Sequence, residues 1–445
     1  MENNQKDFFD GTSAIISLLL LISGVLLLGF FQFENIAAKN EIMLASLLNS
    51  AKADVSDKPN ILLILSDDYG WPYYSFMYPN GFDGHVPVKT PNIDKLAETG
   101  IAFVNGTEAA PICRPSLQSI LTGLNQRDIS KLGSGEGIIN PDAHTLLSQY
   151  LENAGYATFQ AGKWWQRDAI DYFTESYEDR SIGRITIPDT DDDDGESVTE
   201  VTNLKPIYDF IHKYYLDPTQ QDKKPFFVWY MPRMPHRPFG GDLYEYFLNK
   251  YPKSEGKREY FAMISWFDFT VGDLINFLEK NNLRNNTLVI YLTDNGFSLP
   301  QSKKNFTENG LRTPIILNFP GVIPAVGKND SLVSSIDILP TALEYAGAPV
   351  SLPDAMSMKT LAESGGGAPW RKYIFGNWHI KSQRSVRTKQ YKLYVNSKPT
   401  KLFDLYNNPQ EGTNLIDDKN YKNKIDELTA VLNNWWKNRI HPPLE

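Results

Sequence analysis

Along this chain the apolar residues come in short continuous runs. Pro59-Asn60 introduces Ile61-Leu62-Leu63-Ile64-Leu65-Ser66, and similar runs fill 225–230, 287–292 and 314–319. A run with no polar alternation suits a central parallel strand, because helices cover both faces of such a sheet. Residues 100–103 and 156–160 predict two further strands. Between the runs the period lengthens to that of a helix. Thr90 to Ala97 predicts a capped amphipathic helix, Thr145 to Ala154 one stopped by Gly155, and Tyr260 to Leu278 a long one. Another is expected near Ile336 to Ala346. The alternation predicts an α/β fold, a large mixed, mostly parallel sheet sandwiched by helices. Beyond Pro349 the pattern changes to short strand-like pieces at 373–376, 384–387, 391–395 and 401–405, then a helix from Lys424 to Trp436. That predicts a small C-terminal antiparallel sheet with a packing helix.

The N-terminal pattern is of another kind. Ala14 to Phe33 carries no charge across 20 positions, enough to span the ~30 Å hydrocarbon layer. It reads as a signal or a transmembrane anchor, and Ala51-Lys52-Ala53 has the small-x-small form of a cleavage site. The expected organisation is a tail (1–13), the hydrophobic segment (14–33), a linker (34–57), a large domain (58–349) and an α+β subdomain (350–445). The expected location is exported: periplasmic, extracellular or lumenal. Composition adds two exclusions. With 41% hydrophobic and 22% charged residues the chain is globular, and a net charge of -9 without a basic run points away from nucleic acid. The acidic run Asp189 to Asp194 reads as a solvated loop, since it lacks the spacing and glycine of a calcium loop.

Candidate chemistry gathers at the C-terminal ends of the apolar runs, where open α/β sheets place their sites. Asp67 and Asp68 follow the first run, and Asp294 and Asn295 follow a later one. Four hard oxygen donors suit Ca²⁺ or Mg²⁺ better than zinc, and the six histidines show no metal-style pairing. Cys113 is the only cysteine, either an inert small hydrophobe or a reactive centre. Pro111 and Pro115 flank it, and Ser116 is placed to cap a helix whose apolar face begins at Leu117. A side chain before that helix would sit at the positive end of its dipole.

Six motifs recur here in a familiar order: Asp67-Asp68, the 113–123 segment, Gly162-Lys163-Trp164, Pro235-His236, Thr293-Asp294-Asn295-Gly296 and Glu308 to Pro314. With Ser385 to Thr388 and Leu402 to Pro409 further on, the chain resembles the type I sulfatases of the alkaline phosphatase-like superfamily over residues 58–416. The resemblance implies a sulfuric ester hydrolase, arylsulfatase-like, acting on a sulfated carbohydrate or small sulfate ester. It implies that a formylglycine-generating enzyme oxidises Cys113 to formylglycine, whose hydrate attacks sulfur and then expels sulfate. Asp67, Asp68, Asp294 and Asn295, with residue 113, would hold Ca²⁺ (or Mg²⁺). Lys163 and Lys303 would bind sulfate oxygens, with Lys304 the adjacent alternative, and His236 would contact sulfate or protonate the leaving alkoxide.

Two positions depart from the family pattern. Leu117 stands where the Cys-x-Pro-x-Arg signature has arginine, leaving Arg114 as the candidate for that charge. Trp165 stands where a histidine follows Gly-Lys-Trp. His379 or His85 is then the candidate replacement, and Trp165 a stacking surface for a sugar ring. Specificity is expected in loops at 69–88, 166–200 and 365–384, whose aromatics Trp71, Tyr73, Tyr74 and Trp378 suit either sugar stacking or core packing. The alternatives are a phosphodiesterase or phosphonate-ester hydrolase on the same fold, and a degenerate sulfatase-like glycan-binding protein.

Overall fold

The computed structural model describes residues 58–129, 144–164, 171–177, 203–241, 243–297, 302–378, 383–438 and 444. The hydrophobic segment 14–33, the 51–53 site, the acidic run, Trp165 and His379 lie outside these residues. Residues Asp57–Glu445 form one unit by themselves.

Eight strands make the main sheet: β1 (Asn60–Ser66), β2 (Ile101–Phe103), β3 (Ala157–Gly162), β4 (Glu175–Tyr177), β5 (Phe226–Met231), β6 (Thr287–Thr293), β7 (Ile315–Asn318) and β8 (Gly327–Asn329). Their spatial order is β4-β3-β5-β1-β6-β7-β2-β8. The sheet is parallel except at β7, which runs antiparallel to β6 and β2. A second sheet, β9 (Ile374–Trp378), β10 (Gln383–Arg387), β11 (Tyr391–Val395) and β12 (Pro399–Asp404), is wholly antiparallel. The helices that pack the two sheets or carry the site are α1 (Pro91–Glu98), α2 (Cys113–Thr122), α3 (Leu147–Asn153), α4 (Arg258–Lys280), α5 (Ile338–Tyr345) and α6 (Lys422–Asn438).

The apolar run of β1 is explained by what lies on its two faces. Ile61, Leu63 and Leu65 pack with Leu117, Ile120 and Leu121 of α2, Leu147 of α3 and Leu339 of α5. Leu62 and Ile64 face the other way, onto Ile93 of α1 and Phe261, Ile264 and Phe267 of α4. Each such side chain, fully removed from water, contributes roughly 1.5–3 kcal/mol. This also accounts for α4, the only helix among the described residues long and apolar enough to cross a membrane: 72% of its apolar window is buried in the protein, so it is a core helix.

Two helix starts differ from the sequence expectation. Thr90 precedes α1 but makes no cap bond to its backbone; its hydroxyl bonds Asp94. The open N–H groups of Asn92 and Ile93 instead donate to the Asp268 carboxylate of α4, at 3.1 and 2.8 Å, so a tertiary partner replaces the local cap. In the same way α2 begins at Cys113, not after Ser116. Pro115 fits a first turn, where its missing N–H costs nothing. The Ser116 hydroxyl is drawn inward and donates to buried Glu108 at 2.7 Å. Gly123 closes the helix at φ 65°, a conformation glycine adopts without strain.

The C-terminal sheet packs Val386, Leu393 and Leu402 against Leu428, Leu432 and Trp435 of α6. A buried ion cluster joins it to the main sheet. Glu308, just before β7, accepts from Arg387 of β10 at 3.0 Å and Lys392 of β11 at 2.8 Å.

Candidate active site

Strands β1 and β6 are neighbours in register, with Ser66 opposite Thr293. The residues just past each strand therefore emerge side by side at one edge of the sheet: Asp67-Asp68 from one, Asp294-Asn295 from the other. All four are buried. Asp68 sits at φ 71°, a left-handed conformation uncommon for a side chain larger than glycine. Three bonds hold it there. Its N–H donates to Asp294 Oδ1 at 3.0 Å, its carbonyl accepts from the Tyr260 hydroxyl at 2.7 Å, and its carboxylate accepts from Asn295 Nδ2 at 2.6 Å.

Cys113, the first residue of α2, brings its sulfur to 3.9 Å from Asp67 Oδ1 and 4.0 Å from Asp68 Oδ1. Burial pushes the thiol up to about 12, with Asp294 adding to it, so the side chain presents a protonated sulfur at neutral pH. Lys163 follows the end of β3 and spans two carboxylates, Asp67 Oδ1 at 2.6 Å and Asp294 Oδ2 at 3.1 Å. Lys303 reaches Asp68 Oδ1 at 2.5 Å. Burial pulls both ammonium groups down, but Asp294 and Asp67 outweigh it at Lys163, and Cys113, Asp68 and Asp294 outweigh it at Lys303, so both are raised and stay charged. His236 Nε2 lies 3.6 Å from Asp68 Oδ2, while Nδ1 is bonded to the Arg237 carbonyl. A carbonyl only accepts, which assigns the Nδ1 proton and turns Nε2 toward the cluster.

The structure thus brings together eight of the sequence candidates: Asp67, Asp68, Cys113, Lys163, His236, Lys303, Asp294 and Asn295. Between the two lysines geometry favours Lys303, since Lys304 contributes a backbone N–H to Pro111 and an exposed side chain. Arg114 is exposed on the first turn of α2. Leu117 is buried in the core. His85 is engaged elsewhere, bonded to Glu255 at 2.7 Å and to Lys257. Of the aromatics, Trp71 and Tyr74 are fully buried and belong to the core; Trp71 lies under the Arg312 guanidinium, 4.3 Å from its centroid.

Sequence reasoning missed two residues here. Tyr260 gave no signal beyond being the first apolar residue of its helix. Glu108 did leave one, a carboxylate in the otherwise uncharged stretch between Asn105 and Cys113; burial raises it well above the ordinary carboxylate value.

The cluster also meets the requirements of a cation site. Oxygens of Asp67, Asp68 and Asp294 and the Cys113 sulfur lie within 4.8 Å of one another. Asp67 Oδ2 and Asn295 Oδ1 are buried without a hydrogen-bond donor, an arrangement that costs about 1–3 kcal/mol per group unless something else fills the role. Three carboxylates face two ammonium groups, leaving a net negative pocket of hard oxygens.

Residues 59–348 match the family model described as Sulfatase. This chain belongs to the sulfatase family. Residues 301–438 further match the model described as N-sulphoglucosamine sulphohydrolase, C-terminal. Among similar proteins, the Ulvan-active sulfatase of Formosa agariphila is 25% identical, with 93% of this chain and 88% of that one aligned. The N-acetylglucosamine-6-O-sulfatase of Bacteroides thetaiotaomicron is 23% identical over 88% of each chain. The crystal structure of Ps i-CgsB in complex with k-i-k-neocarrahexaose superposes with a TM-score of 0.67 at 25% identity, over 86% of this sulfatase and 94% of that chain. The protein is an enzyme of sulfate ester hydrolysis, and these relatives do not favour the phosphodiesterase, phosphonate-ester or glycan-binding alternatives.

Proposed function

We propose that this sulfatase acts outside the cytoplasm, removing sulfate from a sulfated carbohydrate through a formylglycine made from Cys113 and one bound divalent cation, Ca²⁺ or Mg²⁺. The observation that carries the reading is the position of the Cys113 sulfur, about equidistant from two carboxylates that themselves hold Lys163 and Lys303. Asp67, Asp68, Asp294 and Asn295 would ligate the cation beside residue 113. When present, the cation supplies Lewis acidity and the formylglycine a hydrated aldehyde as nucleophile.

The chain's own groups do the rest. Lys163 and Lys303 hold the sulfate oxygens and stabilise charge growing on them, from a mostly buried setting that strengthens each contact. His236 presents Nε2 toward the same anion; with Nδ1–H held by the Arg237 carbonyl, a second proton taken up on Nε2 is the one it hands to the departing alkoxide. Tyr260 is a positioning residue: through the Asp68 carbonyl it fixes a ligand in a conformation it would not keep alone. Arg114, in place of the family arginine that Leu117 lacks, supplies the positive charge on the outer side of this turn. Trp165 is assigned to stacking against a sugar ring. The segment 14–33 directs export or anchors the enzyme in a membrane, and a formylglycine-generating enzyme acts on Cys113 during maturation.

The mass of the tryptic peptide containing Cys113, measured on natively matured protein, tests this together with turnover of 4-nitrophenyl sulfate with and without chelator. A converted cysteine and chelator-sensitive turnover are expected. An unmodified thiol in active enzyme overturns the formylglycine reading.

A further inference from the structure

Three of the site residues are each followed by a cation: Cys113 by Arg114, His236 by Arg237, Lys303 by Lys304. All three of these neighbours are exposed, and none forms an ion pair among the described residues. In a chain of net charge -9, even with Arg114 given to the charge that Leu117 lacks, Arg237 and Lys304 remain two unneutralised cations one residue outward from a buried site, which the hydrolysis of a single sulfate does not account for.

Arg237 is the best defined of them. Its guanidinium lies over two rings, 5.2 Å from the Phe239 centroid and 5.7 Å from that of Phe297. Those rings belong to a wall that leads back to the site. Phe239 stacks with Phe297 at 6.2 Å, Phe297 stacks on Tyr260 at 3.8 Å, and the Tyr260 hydroxyl bonds the Asp68 carbonyl. Stacking holds the planar cation in one place with little further loss of side-chain freedom, and leaves its N–H edge open for a planar or tetrahedral anion. On the other side, the backbone N–H of Lys304 bonds Pro111, two residues before Cys113, so the Lys303-Lys304 turn lies against the loop that leads into Arg114.

We propose that Arg237, with Arg114 and Lys304, forms a cationic collar that binds a second anionic group of the substrate, so that this enzyme selects glycans carrying further sulfates or uronate carboxylates near the scissile ester. The proposal rests on the sulfatase reading of the same site and adds the substrate class. Arg237 contributes a bidentate contact, whereas Arg114 and Lys304 add charge without fixed geometry. Salt weakens exposed contacts of this kind.

The test separates binding from turnover. In the full chain with Cys113→Ser, binding of a heparin-derived tetrasaccharide is measured by calorimetry beside its fully desulfated, carboxyl-reduced counterpart. The polyanion is expected to bind more tightly, with affinity falling as salt rises. Arg237→Ala is expected to weaken it about tenfold, the scale of one lost charge-assisted contact. Arg237→Lys should recover part of that loss and Arg237→Glu deepen it. No measurable binding of the polyanion, equal binding of the neutral counterpart, or affinity unmoved by Arg237→Ala and Arg237→Glu would each overturn the collar. Loss of the folded near-UV signal in Arg237→Ala transfers the decision to Arg237→Lys and Arg237→Glu. Binding through Arg237 without turnover of any sulfate ester by the unmutated enzyme refutes the hydrolase reading alone. Turnover of 4-nitrophenyl sulfate with indifference to the second charge refutes the collar alone.

Discussion

Two buried clusters of charge lie on either side of the segment 303–308, and they are built to opposite rules. At the junction with the C-terminal sheet, Glu308 takes bonds from Arg387 Nε and Nη2 and from Lys392, and its own backbone N–H donates to Glu411 at 3.0 Å. Two carboxylates there face Arg387, Lys392 and the nearby Arg312, so every acid is matched. At the β1–β6 edge three carboxylates face two lysines, and two buried oxygens are left without donors. A matched cluster fixes structure, because removing either partner leaves a stranded charge. An unmatched one stores an electrostatic demand that a cation meets. Burial alone does not distinguish the two; the balance of charge and the unsatisfied oxygens do.

The largest effect should come from Asp294→Asn, which corrects the imbalance. Asparagine keeps the acceptor for the Asp68 N–H, so the fold should persist and thermal stability in chelator should hold or rise. Activity on 4-nitrophenyl sulfate should fall about 10³-fold or more. The thermal shift produced by added Ca²⁺, on the order of 2–3 kcal/mol at a hundredfold excess over the dissociation constant, should disappear. Retained chelator-sensitive turnover would show that the surplus charge is not the cation site.

The same operation at the junction should do the reverse. Glu308→Ala strands Arg387 and Lys392, both nearly free of solvent, at a cost of about 3–5 kcal/mol. Denaturant unfolding should show the loss, while the folded fraction keeps its KM for sulfate esters. A variant of full stability but altered KM would mean that the junction serves the site.

How much of each cluster is legible in the sequence differs between the two. The ends of β1 and β6 are legible because short apolar runs bounded by turn residues suit central strands, and polar residues at their C-terminal ends then gather at one edge of the sheet. Lys163, His236 and Lys303 stand out only by likeness to a family, since nothing local separates them from surface charges. Glu308 belongs to one of the family motifs, but its partners lie 79 and 84 residues away, and no local pattern links them. The start of α2 escapes a local reading for the same reason: Ser116 prefers a buried carboxylate from outside the helix to the cap. The reversal at β7 is also hidden, because an apolar run buried on both faces reads alike in either direction.

pH offers a smaller distinction. Burial pushes the Glu308 carboxyl up, but the Arg387 and Lys392 charges pull it further the other way, to well below the ordinary value. A carboxyl with a depressed folded-state pKa contributes stability that is complete above its unfolded value, about 4.3, and is lost as pH falls toward the folded one. Stability of the unmutated protein should therefore drop through the acid range, and Glu308→Gln should show a shallower slope there. Equal slopes would remove Glu308 from the acid response.

Lys392→Met should have the smallest effect, and it tests whether the junction depends on matching or on a particular pair. Arg387 meets Glu308 through two nitrogens and also bonds Asn105 at 3.1 Å, whereas Lys392 offers Glu308 a single contact and Glu411 a longer one at 3.4 Å. Methionine fills the same volume without a charge. It leaves Glu308 paired to Arg387, and Glu411 with the Tyr394 hydroxyl and the Glu308 N–H. Glu411 is already raised by burial, so it can take up a proton instead of standing as an unpaired charge. The expected cost is about 1–2 kcal/mol, well below that of Glu308→Ala. A loss as large as that of Glu308→Ala would mean that the junction has no spare cation, and that the balance separating it from the site is finer than the count of charges.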